Sequence, residues 1–373
     1  MPSFRTLREI KNLKGKKVLL RLDLNVPVVE GVVKDDFRIT RALQTIEYLK
    51  KHGARIIIIS HFGDVGASLQ PVARYLNRFT RVGFVPDIVG AKAKAAAESL
   101  PEGGAMLLEN LRADAGEKKN SALFAGKLAF LADVFVNEAF SVSHRSHASI
   151  TRLPKLLPAY AGFLFEEEYK HLSRALKPKK PFVFILGGAK FETKLPLVRH
   201  YLPLAKTIFI GGALANALFK MKGYEMGKSS VGKPIPGLKS LLSNKKVVLP
   251  EDALLLSGKI VCPDELTRAD KIADIGPATL LELKNKIVGA KSILFNGPVG
   301  IYDEGFGWGT EEILKLLVKS KAETVIGGGD TLALVTKLKI EKKFTFVSTA
   351  GGAMLEFLAT GTLPGIEALK NKN

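Results

Sequence analysis

The chain has 373 residues, 46% of them hydrophobic, and a formal net charge of +20. That length suggests two domains, and the apolar content is high enough to argue against disorder. No apolar run reaches transmembrane length, the amino terminus MPSFRTLREIKNLKGKK lacks the apolar core of a signal peptide, and the single cysteine, Cys262, cannot build an internal disulfide framework. A cytoplasmic setting is expected, with Cys262 packed as a small apolar residue. The positive charge favours anionic partners, yet the lysines are scattered (KNLKGKK, KPKK, KNKN) and form no nucleic-acid arm.

Thr6-Leu-Arg-Glu9 has capping-box spacing and predicts a short helical turn. Lys17–Asp23 predicts a strand, and Thr40–His52 a helix stopped by Gly53. Arg55–Ser60 is an apolar, β-branched run, as in a strand covered on both faces. Further strands are expected at Gly83–Val85, Met106–Leu108 and Val134–Val136. A charged helical pattern over Phe163–Lys177, stopped by Pro178, reads as a connector. Buried strands are then expected at Phe182–Leu186, Thr207–Ile210, Lys246–Leu249, Ile293–Phe295, Thr324–Ile326 and Phe344–Val347. Alternating strands and helices predict two α/β domains with parallel sheets.

The strand ends differ in chemistry. Those of the second half carry glycine: ILGGAK, IFIGGALAN, ILFNGPVG, VIGGGD and VSTAGG. Glycine there lets backbone approach a ligand, and a following helix start offers N–H groups to phosphate. No P-loop or nicotinamide-type glycine signature follows a strand. Lys190 and Lys194, four apart, lie on one face of a helix and suit terminal phosphates. Asp330 suits a hard cation or a helix N-cap. The first-half strand ends, RLDLNVP, SHFGD, LLENLRAD and NEAFSVSHRSH, carry Arg, His, Asn and Asp, which suit a small, multiply charged anion. In the last of these, His144 and His147 frame Arg145, a cation that argues against a zinc site. His52, His171 and His200 fall in helical patterns and read as surface or packing residues. One domain thus reads as a nucleotide site and the other as an anion site, the logic of a hinge-closing phosphoryl-transfer enzyme.

RLDLNVP, SHFG, ENLR, VNEAFSVSHRSHAS, GGAKFETK, GGALAN, GKS, DIGP, NGPVG, GGGDT and STAGGA stand in the order found in phosphoglycerate kinases, and the chain resembles that family from about Thr6 to Leu369. The resemblance implies two Rossmann-like three-layer α/β/α domains with parallel sheets, joined by a long helix and hinge. The boundaries read as 1–161 for the 3-phosphoglycerate domain, 162–180 for the helix, 181–354 for the nucleotide domain and 355–373 for a returning tail. It implies reversible phosphoryl transfer between 1,3-bisphosphoglycerate and ADP, giving 3-phosphoglycerate and ATP, with Mg2+, in a monomer that needs neither nucleic acid nor membrane. Carried over by motif, Asp23 and Asn25 would bond the glycerate, Arg38 would orient the reacting carboxyl group, and His61, Arg112 and Arg145 would hold the anion. Lys190 would support the nucleotide site and Lys194 would neutralise the moving phosphoryl group. Gly211, Gly212, Gly276, Asn296, Pro298 and Asp303 would surround ribose and adenine. Gly328, Gly329, Asp330 and Thr331 would hold phosphates, with Asp330 as the metal ligand.

Four positions depart from the family pattern: Asp64 where arginine is usual, Thr193 where many members have Asp, Asp303 for a ribose glutamate, and Ala350 within STAGG. Losing a phosphate-binding arginine at 64 implies substrate binding about ten- to hundredfold weaker. That loss is avoided if Asp64 turns outward, or if Arg74, Arg78 or Arg81 reaches in.

Overall fold

The computed structural model describes residues 4–189, 191–232 and 238–370. The chain divides into two compact units, one from residues 1–170 and 362–373, the other from 171–361.

The first unit is built on six strands: β1 (Lys17–Arg21), β2 (Arg55–Ile59), β3 (Gly83–Val85), β4 (Ala105–Leu108), β5 (Val134–Asn137) and β6 (Ala159–Ala161). They pair in the order β3-β4-β2-β1-β5-β6, all parallel. Val18–Arg21 and Ile56–Ile59 are buried throughout, as expected of strands covered on both faces. Around the sheet lie α1 (Phe37–Lys51), α2 (Gln70–Leu76), α3 (Ala91–Ser99) and α4 (Ala122–Ala129), and α5 (Phe163–Leu176) begins in this unit and ends in the second. Ile39, Ala42, Ile46 and Leu49 of α1 are buried at helical spacing and join the core with Leu20, Ile56 and Ile58.

In the second unit the strands are β7 (Phe182–Leu186), β8 (Thr207–Ile210), β9 (Val247–Val248), β10 (Ala253–Leu255), β11 (Ile260–Val261), β12 (Ile272–Ile275), β13 (Ser292–Asn296), β14 (Glu323–Gly327) and β15 (Phe346–Val347). Six of them form a parallel sheet in the order β9-β8-β7-β13-β14-β15. This is the doubly wound order, whose direction of winding reverses between β7 and β13. Its helices are α6 (Phe191–Tyr201), α7 (Gly212–Met221), α8 (Pro277–Ile287), α9 (Trp308–Lys319), α10 (Gly329–Leu338) and α11 (Gly352–Thr360). The chain then re-enters the first unit, where α12 (Pro364–Leu369) is anchored by Gly365 N–H donating to the Ser143 carbonyl at 2.8 Å.

The two α/β units with parallel sheets agree with the sequence reading, and the Thr6–Glu9 capping box forms. Several edges differ. Helix α1 begins at Phe37, not Thr40, because Asp35 accepts from Phe37 N–H at 2.9 Å and the Asp36 carbonyl from Thr40 N–H at 2.9 Å; both acids precede the apolar pattern. The expected strand at Phe344 starts at Phe346. There Thr345 and Thr324 exchange side chain-to-backbone bonds of 3.0 and 3.1 Å in place of a backbone ladder. Strand β9 is shorter than Lys246–Leu249 and only half-buried, as fits an edge. Three features carried too short a pattern to be read: β6, a hairpin of Val28–Val29 with Val32–Val33 turning on Glu30 and Gly31, and the antiparallel sheet β11-β10-β12. Cys262 is exposed, not packed, because it follows a two-residue edge strand and leads a helical turn that Glu265 closes onto its N–H at 3.1 Å. No helix among the described residues is long and apolar enough to cross a membrane.

Helix α5 starts on a buried carboxylate. Glu138, just past β5, accepts from the Thr45 hydroxyl and from Leu164 and Phe165 N–H at 3.0 and 3.3 Å. Burial outweighs these bonds and pushes its carboxyl up to about 7. The folded state therefore holds this proton where the unfolded chain has lost it, and Glu138 withdraws stability as pH rises from 4.5 through about 7. Chemical denaturation at pH 5.5 and pH 8 should show that Glu138→Gln loses less stability across that interval than the parent. Equal losses would mean that Glu138 is already ionised at the lower pH.

Candidate active site

In the first unit, register places the functional loops on one rim. Arg21 pairs with Ile59 and Asn137, so β1, β2 and β5 end at the same level. The residues just beyond them, Asp23, His61 and Glu138, start the rim loops; Arg112 follows β4 in a helical turn. Asp23 is the organiser. Its carboxylate meets Arg38 Nη1 at 3.0 Å and accepts from the Ser141 hydroxyl and from Asn25 N–H at 3.1 Å. Arg38 Nη1 also donates to the Asn25 carbonyl at 3.0 Å. The Asn25 side chain in turn accepts from Gly63 N–H at 2.9 Å, tying the loop after β1 to the loop after β2. Burial would raise the Asp23 carboxyl, but the Arg38 charge and the hydrogen bonds from Ser141 and Asn25 keep it below its ordinary value.

Arg112 donates to the Gly63 carbonyl, and its Nε is buried with no hydrogen-bond partner among the described residues. An orphaned guanidinium N–H beside a rim of cations is chemistry suited to an anion's oxygen. Arg145 is exposed, and its charge acts on Arg112, His144 and His147. His61 is pushed down to about 3 by burial and then by Arg21; His147 is pushed down to about 4 by burial and then by Arg145. Both are neutral imidazoles at pH 7. His144 is lowered by the same two causes, burial and Arg145, and its Nδ1 is buried without a partner. His144 and His147 therefore flank an anion-binding rim, and no cluster of three metal-ligating side chains exists among the described residues. Of the remaining histidines, His52 is exposed at the end of α1, His171 stacks on Phe346 with ring centres 4.4 Å apart, and His200 packs edge-on against Tyr201.

Asp64 is solvent-exposed, yet its charge still acts on Arg112 of this rim. Its side chain is 90% exposed and lies 3.5 Å from Lys118. None of the three candidate replacements is shown reaching in: Arg74 approaches Gln70 at 3.4 Å, Arg78 lies over the Tyr75 ring, and Arg81 is exposed.

The second unit offers a cleft of about 390 Å³ beyond the carboxyl ends of its strands. Of the sequence-nominated residues, Gly212, Pro298, Asp303 and Asp330 line it. Gly211 precedes it as the N-cap of α7, while Gly328, Gly329 and Thr331 form the first turn of α10 beside Asp330. Asn296 is buried at the end of β13. Gly276 is not among the lining residues; its Cα faces Asp252, whose carboxylate accepts from Ala278 and Thr279 N–H and so caps α8. Lys190 lies outside the described residues. The cleft is also lined by Asn216, Lys228, Ser230, Lys271 and Tyr302, which the glycine pattern did not single out. Asn216 stands in the quoted GGALAN run and Lys228 in the quoted GKS, and both were legible there; Ser230, Lys271 and Tyr302 come from connecting segments with no periodic signal.

Lys194 sits beneath the glycine ends of β7 and β13. It is 8% exposed, and its ammonium donates to the Gly187 carbonyl. A methyl group at Gly297, where φ is +87°, would lie 2.8 Å from that nitrogen, so only glycine lets the strand end close over it. Burial lowers the ammonium to about 8, opposed by the charge of Asp330. Gly328 (φ +101°) turns the chain from β14 into α10, exposing the first N–H groups of that helix. Asp330 stands at the second helical position, two residues past the N-cap Gly328, so of its two readings the N-cap does not hold, and Thr331 Oγ1 is buried without a partner among the described residues. Burial and then Asp303 raise the Asp330 carboxyl. A divalent cation would relieve that repulsion. One carboxylate beside an open phosphate site fits Mg2+, which takes one or two carboxylates together with phosphate oxygens.

A phosphoglycerate kinase family model matches residues 7–361. The phosphoglycerate kinase of Moorella thermoacetica is 40% identical over 390 residues, covering 98% of this chain and 99% of its own length. That of Fervidobacterium nodosum is 39% identical, with 98% of both chains covered. Among solved structures, phosphoglycerate kinase from Pyrococcus horikoshii superposes with a TM-score of 0.87 at 32% identity, and that from Coxiella burnetii with 0.82 at 34%; each covers 98% of both chains. With its two parallel-sheet units and a match over nearly its whole length, the chain belongs to the phosphoglycerate kinase family.

Proposed function

We propose that this chain transfers a phosphoryl group reversibly between 1,3-bisphosphoglycerate and ADP, giving 3-phosphoglycerate and ATP in glycolysis and gluconeogenesis. The acceptor is the carboxyl group of 3-phosphoglycerate, and the enzyme acts as a cytoplasmic monomer. The observation that carries this reading is the division of chemistry in one chain. A cationic rim with an orphaned Arg112 N–H belongs to one unit, and a glycine-walled cleft with a buried lysine belongs to the other.

An ionised carboxylate needs no base to become a nucleophile, so the protein's tasks are positioning and charge neutralisation. Arg38, held by Asp23 and the Asn25 carbonyl, is preorganised to orient that carboxylate. His61, Arg112 and Arg145 hold the distal phosphate, with Asp23 and Asn25 at the glycerate. Lys194 neutralises the phosphoryl group in flight, while the first turn of α10, with Gly328, Gly329 and Thr331, receives phosphate oxygens. Asp330 would hold Mg2+, which supplies Lewis-acid neutralisation of the nucleotide phosphates when bound. Gly211, Gly212, Pro298 and Asp303, together with Asn216 and Tyr302, surround the nucleoside. Lys190, Asn296 and Gly276 retain the roles implied by the family motif. A coupled assay with ATP, Mg2+ and 3-phosphoglycerate tests the proposal; absence of turnover by folded protein across a range of salt concentrations rejects it.

Lys194 carries two expectations. If its charge acts mainly in the transition state, Lys194→Ala lowers kcat by about 10²–10³ and weakens ATP binding only severalfold. An unchanged kcat removes it from the mechanism. Because burial brings the ammonium to about 8 in the free protein, kcat/KM for ATP should be level below that pH and fall above it. The fall should be absent in Lys194→Arg, whose guanidinium stays charged. A profile still level at pH 9.5 in the parent places the titration elsewhere.

Asp64 is expected to matter little. An exposed carboxylate paired with a surface lysine is screened. Asp64→Ala should therefore change the KM for 3-phosphoglycerate less than about twofold. A drop of tenfold or more would show that the carboxylate opposes the substrate phosphate, and would favour a different acid as acceptor.

A further inference from the structure

Behind the cationic rim, three fully buried polar residues that the proposed mechanism does not use lead to His61. Arg21, the last residue of β1, is completely buried. Its Nη1 donates to the Leu22 carbonyl, its Nε to Ser149 Oγ at 3.0 Å, and its Nη2 meets His61 Nδ1 at 3.2 Å. Ser149 passes its own hydroxyl proton to Glu117 Oε1 at 2.6 Å, and its N–H is accepted by Glu117 Oε2 at 2.9 Å. Glu117 is also fully buried, and His147 Nδ1 lies 3.9 Å from its Oε1. The order of the chain is thus Glu117–Ser149–Arg21–His61.

The donor–acceptor inventory fixes its polarity. A guanidinium has donors only and does not lose its proton in proteins. The imidazole nitrogen facing Arg21 Nη2 must therefore be an acceptor, so His61 Nδ1 carries no proton. A second proton on the ring is opposed by its burial and by the cations around it: Arg21 in contact, with Arg112 and Arg38 beyond. Asp23 acts on the ring in the opposite sense but does not outweigh them. What remains is a neutral ring with its proton on Nε2.

Resting on the kinase reading above, we propose that Arg21 is a positioning residue that locks His61 as the neutral Nε2–H tautomer, so that His61 presents a fixed hydrogen-bond donor to the substrate anion. Glu117 supplies the counter-charge that lets Arg21 stay buried, and Ser149 transmits it while pinning the guanidinium plane. His61 then binds the anion as a donor without charge, and its contribution does not vary across neutral pH. The alternative, a histidine that charges to meet its ligand, would make substrate affinity rise as pH falls through 6 to 7.

The test reads the ring directly. Two-bond nitrogen–proton correlation spectra of histidine-labelled protein distinguish the two neutral tautomers from imidazolium, with His61 assigned through His61→Gln. The expected result is the Nε2–H pattern, unchanged between pH 6 and pH 8, with and without 3-phosphoglycerate. A ring that is Nδ1–H, or that charges within this range, overturns the proposal. These spectra hold whether or not the protein turns over 3-phosphoglycerate, so failure of the kinase reading is seen separately in the coupled assay. Ser149→Ala, the milder variant, should loosen the lock. His61 then shows tautomer exchange, and the KM for 3-phosphoglycerate rises about three- to tenfold, with that for ATP and kcat within about twofold. Arg21→Met should do the same more strongly where it folds. If Ser149→Ala raises both Michaelis constants together, or leaves the His61 spectrum and both constants untouched, the chain is only structural.

Discussion

Parallel strands in register end at one level, and everything functional in this chain depends on that constraint. In the first unit Arg21 lies level with Ile59 and Asn137; in the second Leu186 lies level with Asn296. Each level is the point where the winding of the sheet reverses, so the loops on either side diverge and leave a crevice. Side chains contributed by residues far apart in sequence, Asp23, His61, Arg112 and Ser141, are thereby delivered to one rim on rigid supports. Loops alone could not hold Arg38 to Asp23 at 3.0 Å while also tying Asn25 to Gly63.

The same scaffold is dressed in opposite ways. In the first unit the rim is made of charged side chains, guanidinium and imidazole donors of the kind that suit a small anion. In the second the strand ends are made of main chain, where a helix start offers N–H groups that a Cβ would obstruct. Gly297 and Gly328 show the geometric reason: both take positive φ, and Gly297 stands within a methyl's reach of Lys194. Putting side chains there would displace the lysine from the position it needs.

Much of this was legible in the sequence, and the limits have identifiable causes. Buried parallel strands such as Phe182–Leu186 are continuous apolar runs with a clear boundary, and they were located to the residue. Strands of two residues, such as those flanking Glu30 and Gly31, carry no period to detect. The rim residues were found because charged groups directly after an apolar run are chemically anomalous. Arg21 escaped notice for the opposite reason: it stands inside a strand pattern, where one polar residue reads as a solvent-facing position. Only the structure shows that it is sealed and that Glu117, 96 positions away in sequence, balances it. The orientation of Asp64 was open as well, since a turn aspartate can face either way.

Charge compensation then explains how one chain keeps its sites receptive. Asp23 and Glu117 offset Arg38 and Arg21, but Arg112 and Arg145 act on each other and on the histidines with no carboxylate in direct contact among the ion pairs of the described residues. Lys194 feels Asp330 only weakly enough that burial still lowers it to about 8. Each site thus holds a positive potential that its own acids do not cancel, part of it at buried groups such as Arg21 and Lys194. An anion entering such a site replaces missing counter-charge and not water, so the reorganisation that would otherwise accompany charge movement has been met in folding. The neutral histidines follow from burial first and from the same imbalance second: the arginines around His61 and His147 add to the cost of a second proton, and both rings stay uncharged at neutral pH.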